Sequence, residues 1–421
     1  MFKAVAGYYK DNEQLRLLVK IIAVWLISRA VMLLMVPVMN LIADEPHQWL
    51  YYMNPWDAEW YKGIVENGYQ PPKSSGMASW AFFPLYPLVC MAVRLVTMGS
   101  IDTYAVGMTV SNICIIIAVY YAVKYADIEL DMKKYNKKTV EDIIIFLMLA
   151  GPFAVYYGAM YTEALFILCV ILCFYNSARH NYMAAGIAAA MASATRIVGC
   201  MLVFVLITYM FMETCAECRA KHNSEMKDNK EAGILIAGNI SLASVIRTFI
   251  KNVIKEPKKL VAIMISPLGI FIYMNYLRYF CGDSWAFYHV QRAWRTQKMF
   301  PVIGVLFKSC TGQLSAASGV KTLNGIILGW LCVITLMLYA AMIRKKHYAL
   351  GIFGIIVLLI PLTSSVMSTL RFIMGSFVIY IGVAEIIAGC NRYVRYGIIT
   401  LLSIVEIVVI SAWYFWDGLL M

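Results

Sequence analysis

Three observations make this chain an all-α polytopic membrane protein. The 421 residues are 62% hydrophobic and only 14% charged, where a soluble domain runs about half apolar and a quarter charged. Apolar stretches recur from residue 17 to residue 415, many of them near the roughly 20 residues that a helical span needs. They run continuously apolar instead of alternating, which excludes an outer-membrane barrel. The same composition excludes a soluble enzyme, a disordered chain and a single-span receptor.

Apolar length and chain breakers place about eleven spans, at 17–38, 103–124, 141–158, 162–179, 183–196, 199–213, 259–279, 323–343, 349–366, 372–390 and 395–415. The first run, Leu17 to Met39, is too long for the apolar region of a cleavable signal. The fifth is short and reads as a half-helix running into the sixth, broken around Thr195-Arg196 and Gly199. Residues 81–98 are also apolar, but charge argues against a crossing there. If they crossed, the lysine-rich loop 124–138 and the segment 213–259 would fall outside. If they lie along the outer interface, 24 of the 36 Lys and Arg fall inside, 11 outside, and Arg29 sits mid-span, as the positive-inside rule prefers. The N-terminus is then cytoplasmic and the C-terminus extracytoplasmic. Residues 1–421 form one integral membrane domain with a first extracytoplasmic loop at 39–102, a basic cytoplasmic connector at 213–258 and a second large extracytoplasmic segment at 280–322. The net charge of +12 follows from this topology, so membrane lipids are expected as partners and nucleic acid is not. Most of the 11 cysteines lie in apolar runs, where cysteine acts as a small hydrophobe. Cys215-x-x-Cys218 lacks the second pair that a zinc site needs.

The first outer loop carries the candidate chemistry. Asn54 to Gly68 reads as a short helix, with Asn54 as cap, Pro55 at the first position and Asn67-Gly68 as a left-handed stop. On a helical wheel Trp56, Trp60, Tyr61, Ile64 and Val65 share one half, and Glu59, Lys62 and Glu66 share the other. Asp57 falls in the middle of the apolar half. A carboxylate there is expensive unless it has a partner or a task. Its first-turn position suits a negative charge, and shielding from bulk water suits a general base. Glu59 faces water. Trp56, Trp60 and Tyr61 form an interfacial aromatic belt. The next segment, Trp80 to Leu88, is aromatic with two prolines; packing explains it as well as a platform for a lipid chain does.

These blocks resemble the PIG-V-like family (glycosylphosphatidylinositol mannosyltransferase II-like) within the GT-C polytopic membrane glycosyltransferases. The resemblance rests on Trp56-Asp57-Ala58-Glu59, Gly68-Tyr69 and Trp80 to Leu88, with Tyr161-Thr162-Glu163-Ala164-Leu165-Phe166 and Ala194-Thr195-Arg196 as weaker landmarks. It covers the first half of the chain well and the second half only as a hydropathy pattern. It implies a GT-C-like bundle with interfacial helices in the first outer loop and Asp57 as the catalytic carboxylate. It also implies transfer of a hexose, typically mannose, from a polyprenyl- or dolichyl-phosphate sugar to a lipid-linked or surface glycan on the extracytoplasmic face. The membrane would be a bacterial cell membrane, or the endoplasmic reticulum in a eukaryote. The polar insert Gln70 to Gly76 departs from the pattern and bears on acceptor contacts.

Such a donor leaves as a stable phosphate anion, so it needs no strong acid, unlike the paired carboxylates of a hydrolase. It needs one base and cations to hold the phosphate. Asp57 is the candidate base. Candidate substrate contacts are Arg196, Arg371 and the cluster His289, Gln291, Arg292 and Arg295, with Arg278 nearby; arginine binds phosphate bidentately. Snorkelling to the interface would equally explain Arg371. Glu163 either binds acceptor hydroxyls or orients an arginine. Glu59, Trp56, Trp60 and Tyr61 complete the candidate substrate contacts. The sequence carries no metal motif, and no metal or other cofactor is expected. The competing reading is a transporter or lipid flippase, which would bring internal repeats and charges along a pathway; neither is conspicuous here.

Overall fold

The computed structural model describes residues 12–43, 45–231, 241–293, 301–313, 321–363, 366–417 and 419–420, with backbone only for 225–231. Every regular element among the described residues is helical. α1 (Glu13–Ile42) starts at Asn12, whose side chain accepts the Leu15 amide, a standard way to satisfy a free helix-end donor. In the loop that follows lie α2 (Trp49–Met53), α3 (Asp57–Asn67), a 3-10 turn (Ser79–Ala81) and α4 (Leu85–Val96). Then come α5 (Thr103–Glu129), α6 (Lys137–Leu149), α7 (Glu163–Ala178), α8 (Tyr182–Ser193), α9 (Leu202–Glu231), α10 (Leu242–Lys255), α11 (Pro257–Ile265), α12 (Leu268–Cys281) and α13 (Ala286–His289). The chain closes with α14 (Val302–Cys310), α15 (Thr322–Arg344), α16 (Tyr348–Leu362), α17 (Thr369–Gly375), α18 (Val378–Gly389) and α19 (Arg392–Tyr414).

Five helices are long and apolar enough to cross a membrane: α1, α5, the Ile197–Ser224 stretch of α9 with its leading turn, α15 and α19. Two bent pairs, α11 with α12 and α17 with α18, raise the number to seven. Each of the eleven expected segments coincides with helix, but several are shorter than expected. Gly151-Pro152 ends the 141–158 segment early, at Leu149, because proline disfavours helix in the residue before it. Pro267 bends the 259–279 segment by 42°, having no amide to donate. The expected break near Thr195-Arg196 is present: α8 stops at Ser193, and the turn Ile197–Met201 precedes α9. At 12 residues, α4 is too short to cross, in keeping with its exclusion from the span count.

Lipid is as apolar as leucine, so helices in a bilayer associate through close packing and buried polar contacts. The alanine-rich α8 supplies the close packing. A Cβ on Gly186 would lie 2.8 Å from Ala262 backbone atoms, and one on Gly269 would lie 2.2 Å from the Ala190 carbonyl. The polar contacts gather at two ends. At one, Lys20 pairs with Glu141 at 2.5 Å and Asp142 at 2.7 Å, Lys259 with Glu213 at 3.0 Å and Lys345 with Glu385 at 3.0 Å. His347, in the turn between α15 and α16, bonds Glu129 at 2.8 Å, and these carboxylates raise its pKa to about 9. Arg29 finds the internal partners that a mid-span arginine requires: the Asn112 side chain at 2.8 Å and the Ala154 carbonyl at 3.3 Å.

Candidate functional site

At the other end, Asp57 opens α3, but the expected cap is not formed. Asn54 is used elsewhere: its amide donates to the Leu50 carbonyl at 2.9 Å, and its Oδ1 accepts the Met160 amide at 2.8 Å. The helix begins two residues later than expected because Trp56 takes a positive φ of 46°, a conformation costing a bulky residue about 1–3 kcal/mol. Packing holds it there. The Trp56 ring meets Trp413 edge-on at 5.3 Å. The Tyr161 hydroxyl donates to the Pro55 carbonyl at 2.7 Å and accepts the Asp57 amide at 3.3 Å. Gly68, at φ 71° and ψ −172°, ends the helix in a conformation open essentially to glycine alone.

The wheel reading of α3 holds in most respects. Ala58, Tyr61, Ile64 and Val65 are buried, and Glu59 is exposed. Asp57 is half-buried and pairs with Arg371 Nη1. Arg371 Nε donates to Glu163 Oε1 at 2.5 Å, and the same oxygen accepts Arg196 Nη1 at 3.0 Å. The four side chains form one line of alternating charge: Asp57, Arg371, Glu163, Arg196. Glu163 is fully buried at the first turn of α7, and its Oε2 has no protein partner among the described residues. Arg371 is buried under the Tyr161 ring, 4.8 Å from its centroid. It does not snorkel, because both carboxylates sit inside the protein. Arg196 rests between Phe372 at 5.1 Å and Phe166 at 5.8 Å and keeps 14% of its side chain exposed. A buried line of this kind is tolerated only when each charge has its partner.

The other candidates lie around this line. Tyr61 is buried with its hydroxyl 3.4 Å from Thr162 Oγ1, and burial raises its pKa. Trp60 stacks on Phe82 at 5.6 Å, and Lys73 Nζ lies over the Trp60 ring, 4.6 Å from its centroid. Glu59 accepts the Tyr104 hydroxyl, turned toward α5. In the Trp80 to Leu88 segment Phe82, Phe83, Tyr86 and Pro87 are buried while Leu88 is exposed, and Tyr69 and Tyr273 both donate to the Phe82 carbonyl. His289, Gln291 and Arg292 follow Phe287, which packs on Phe83 at 5.4 Å. His289 bonds Asp283 at 2.7 Å, which lowers the Asp283 pKa, and Arg292 is exposed. Among the described residues no hydrogen bond or ion pair joins this cluster to Asp57. Arg295 lies outside the described residues. Sequence reasoning gave no role to Tyr161 or Trp413. The first stood inside a quoted landmark; the second carries no local signal.

Among the described residues no cluster of three or more His, Cys, Asp and Glu side chains is placed to hold a metal ion.

A family model described as mannosyltransferase (PIG-V) matches residues 14–288. The chain is similar to the archaeal oligosaccharyltransferase AglB from Archaeoglobus fulgidus, solved in complex with an inhibitory peptide and a dolichol-phosphate. The identity is 13% and the TM-score 0.45, over 98% of this chain and 56% of that one. An Archaeoglobus fulgidus oligosaccharyltransferase tethered to an acceptor peptide gives 13% identity and a TM-score of 0.45 over 97% of this chain and 56% of that one. The chain thus spans about half the length of these structures. No curated protein matches it.

Proposed function

We propose, on the premise that the chain belongs to the mannosyltransferase (PIG-V) family, that it transfers mannose from a polyprenyl- or dolichyl-phosphate sugar to a glycolipid or glycan acceptor. The observation that carries this reading is the line Asp57, Arg371, Glu163, Arg196, drawn from four separate stretches of chain to one end of the helical bundle. Arg371 engages one Asp57 oxygen and fixes the carboxylate. The other oxygen is the base: it removes the acceptor hydroxyl proton, the acceptor oxygen attacks the anomeric carbon, and the polyprenyl phosphate departs with the electron pair of the broken bond. Attack opposite the leaving group inverts the anomeric centre.

Arg371 has two carboxylates to satisfy, whereas Arg196 gives one bond to Glu163 and stays partly exposed. Arg196 is therefore the nearer phosphate ligand, with Arg292 and Arg295 as further cations and His289 and Gln291 beside them. Trp56 and Trp60, each partly exposed, line the lipid side over the buried Tyr61, and Glu59 lies at the acceptor side. Guanidinium groups supply the charge that the departing phosphate needs, so the transfer proceeds without a metal. The site faces the extracytoplasmic side of a bacterial cell membrane, or the lumen in a eukaryote, with the N-terminus cytoplasmic.

The test is incubation of the purified full-length protein with radiolabelled polyprenyl-phosphate mannose and a glycolipid extract, with and without excess chelator. Label moving into the glycolipid in both arms is the expected result. No transfer in either arm would overturn the enzyme reading, and transfer restored only by added metal would overturn the metal-free one.

A further inference from the structure

α10 stands apart from the site. Its sequence, LASVIRTFIKNVIK, has no acidic residue, and its surface divides into three stripes. Val245 and Val253 are buried, Phe249 packs on Phe211 of α9 at 5.6 Å, and Asn252 donates to Glu217 at 2.9 Å. That stripe fixes the helix to the protein. Beside it Leu242, Ile246, Ile250 and Ile254, spaced four apart, are between 43% and 66% exposed. Next come Arg247, Lys251 and Lys255, also spaced four apart and all exposed. Four large aliphatic side chains left in water would be an aggregation hazard, yet they flank three cations in register.

The position of the helix says what covers them. α10 ends two residues before Pro257, where the bent α11 and α12 pair long and apolar enough to cross a membrane begins. Exposed apolar surface resumes on α11 at Leu260, Val261 and Met264, so the aliphatic stripe continues toward a lipid-facing surface. A helix with one aliphatic and one basic flank at this level suits the headgroup boundary, with the aliphatic side chains among acyl chains and the cations at phosphates.

We infer that α10 lies in the plane of the membrane surface and binds anionic phospholipid, with Ile246, Ile250 and Ile254 in the acyl region and Arg247, Lys251 and Lys255 on the headgroup phosphates. The proposal does not depend on the transfer reaction.

The full-length protein in nanodiscs of phosphatidylcholine and phosphatidylglycerol tests it in two arms. With Ile250 replaced by photoreactive benzoylphenylalanine, irradiation is expected to yield phospholipid adducts at that position. Adducts to a second copy or to another protein would overturn the proposal. In the second arm, native mass spectrometry reads the ratio of phosphatidylglycerol to phosphatidylcholine retained. The Arg247→Gln/Lys251→Gln/Lys255→Gln variant is expected to lower that ratio by more than about fivefold. The charge-matched Lys133→Gln/Lys134→Gln/Lys138→Gln variant is expected to leave it unchanged. Equal loss in both variants, or none in the first, would overturn it.

Discussion

Arg371, 314 residues downstream of Asp57, places its guanidinium between that carboxylate and the buried Glu163. One cation therefore bridges two acids, and Arg196 is the second partner of Glu163. Arg371→Gln is expected to leave Glu163 dependent on Arg196 alone and to destabilise the protein by about 3 kcal/mol, the scale for breaking a buried ion pair. Arg371→Lys keeps the charge, but an ammonium lacks the planar fork that reaches both partners, so activity is expected to fall with a smaller stability loss. Adding Glu163→Gln to Arg371→Gln is expected to recover stability without turnover. Thermal unfolding in detergent, read beside transfer rates, separates the two effects.

Asp57→Asn keeps the size of the side chain and removes its basicity. Folding is expected to persist and turnover to drop at least about a hundredfold, the usual contribution of a positioned base. Glu59→Gln is expected to stay near the wild-type rate, because that residue is exposed and its amide oxygen still accepts the Tyr104 hydroxyl. Initial rates under saturating donor check both.

His347 gives stability a pH dependence. An imidazole titrates near 6.5 in an unfolded chain, whereas Glu129, with Glu385 behind it, raises the folded value to about 9. The contribution is complete below pH about 6.5 and disappears as pH rises through about 9. Its size is on the order of 2 kcal/mol once solvent screening is allowed for. Melting temperature is expected to fall across that window, and His347→Gln is expected to flatten the fall.

Two glycines are expected to respond in opposite directions to alanine. A Cβ on Gly63, inside α3, meets nothing within 4 Å, so Gly63→Ala is expected to stabilise by about 0.5–1 kcal/mol. A Cβ on Gly269 would lie 2.2 Å from the Ala190 carbonyl oxygen and 2.4 Å from the Ala194 amide. These are backbone atoms that cannot swing away. Gly269→Ala is expected to cost at least about 2 kcal/mol and to loosen α8 from α12, measurable by thermal unfolding.

The helical membrane architecture was legible because continuous apolar runs allow few other structures. Helix ends were less legible. Proline and glycine at 151–152 and proline at 267 were visible, but how far each shortened or bent a segment depended on packing. On α3 the periodicity placed Asp57 on the inward half correctly. It missed the start of the helix, because the ring contact of Trp56 with Trp413 and the hydroxyl of Tyr161 override the local preference of Asn54 and Pro55. Arg371 and Glu163 were visible as charges at the ends of apolar segments. Their shared pairing was not, since no spacing rule links residues 57, 163 and 371. The His289 cluster was the densest basic signal in the sequence, yet its histidine is taken up by Asp283.

The stretch matched by the family model stops at residue 288, with three of the four aligned charges before it and the fourth, Arg371, well beyond. During synthesis both acids, and the Arg196 that pairs with Glu163, are therefore made well before the cation that bridges the two acids emerges. A polypeptide ending at 288 would hold Asp57 without its counter-ion, Glu163 with Arg196 alone, and Trp56 without Trp413. Co-expression with the remaining chain as a separate piece should restore what neither half possesses.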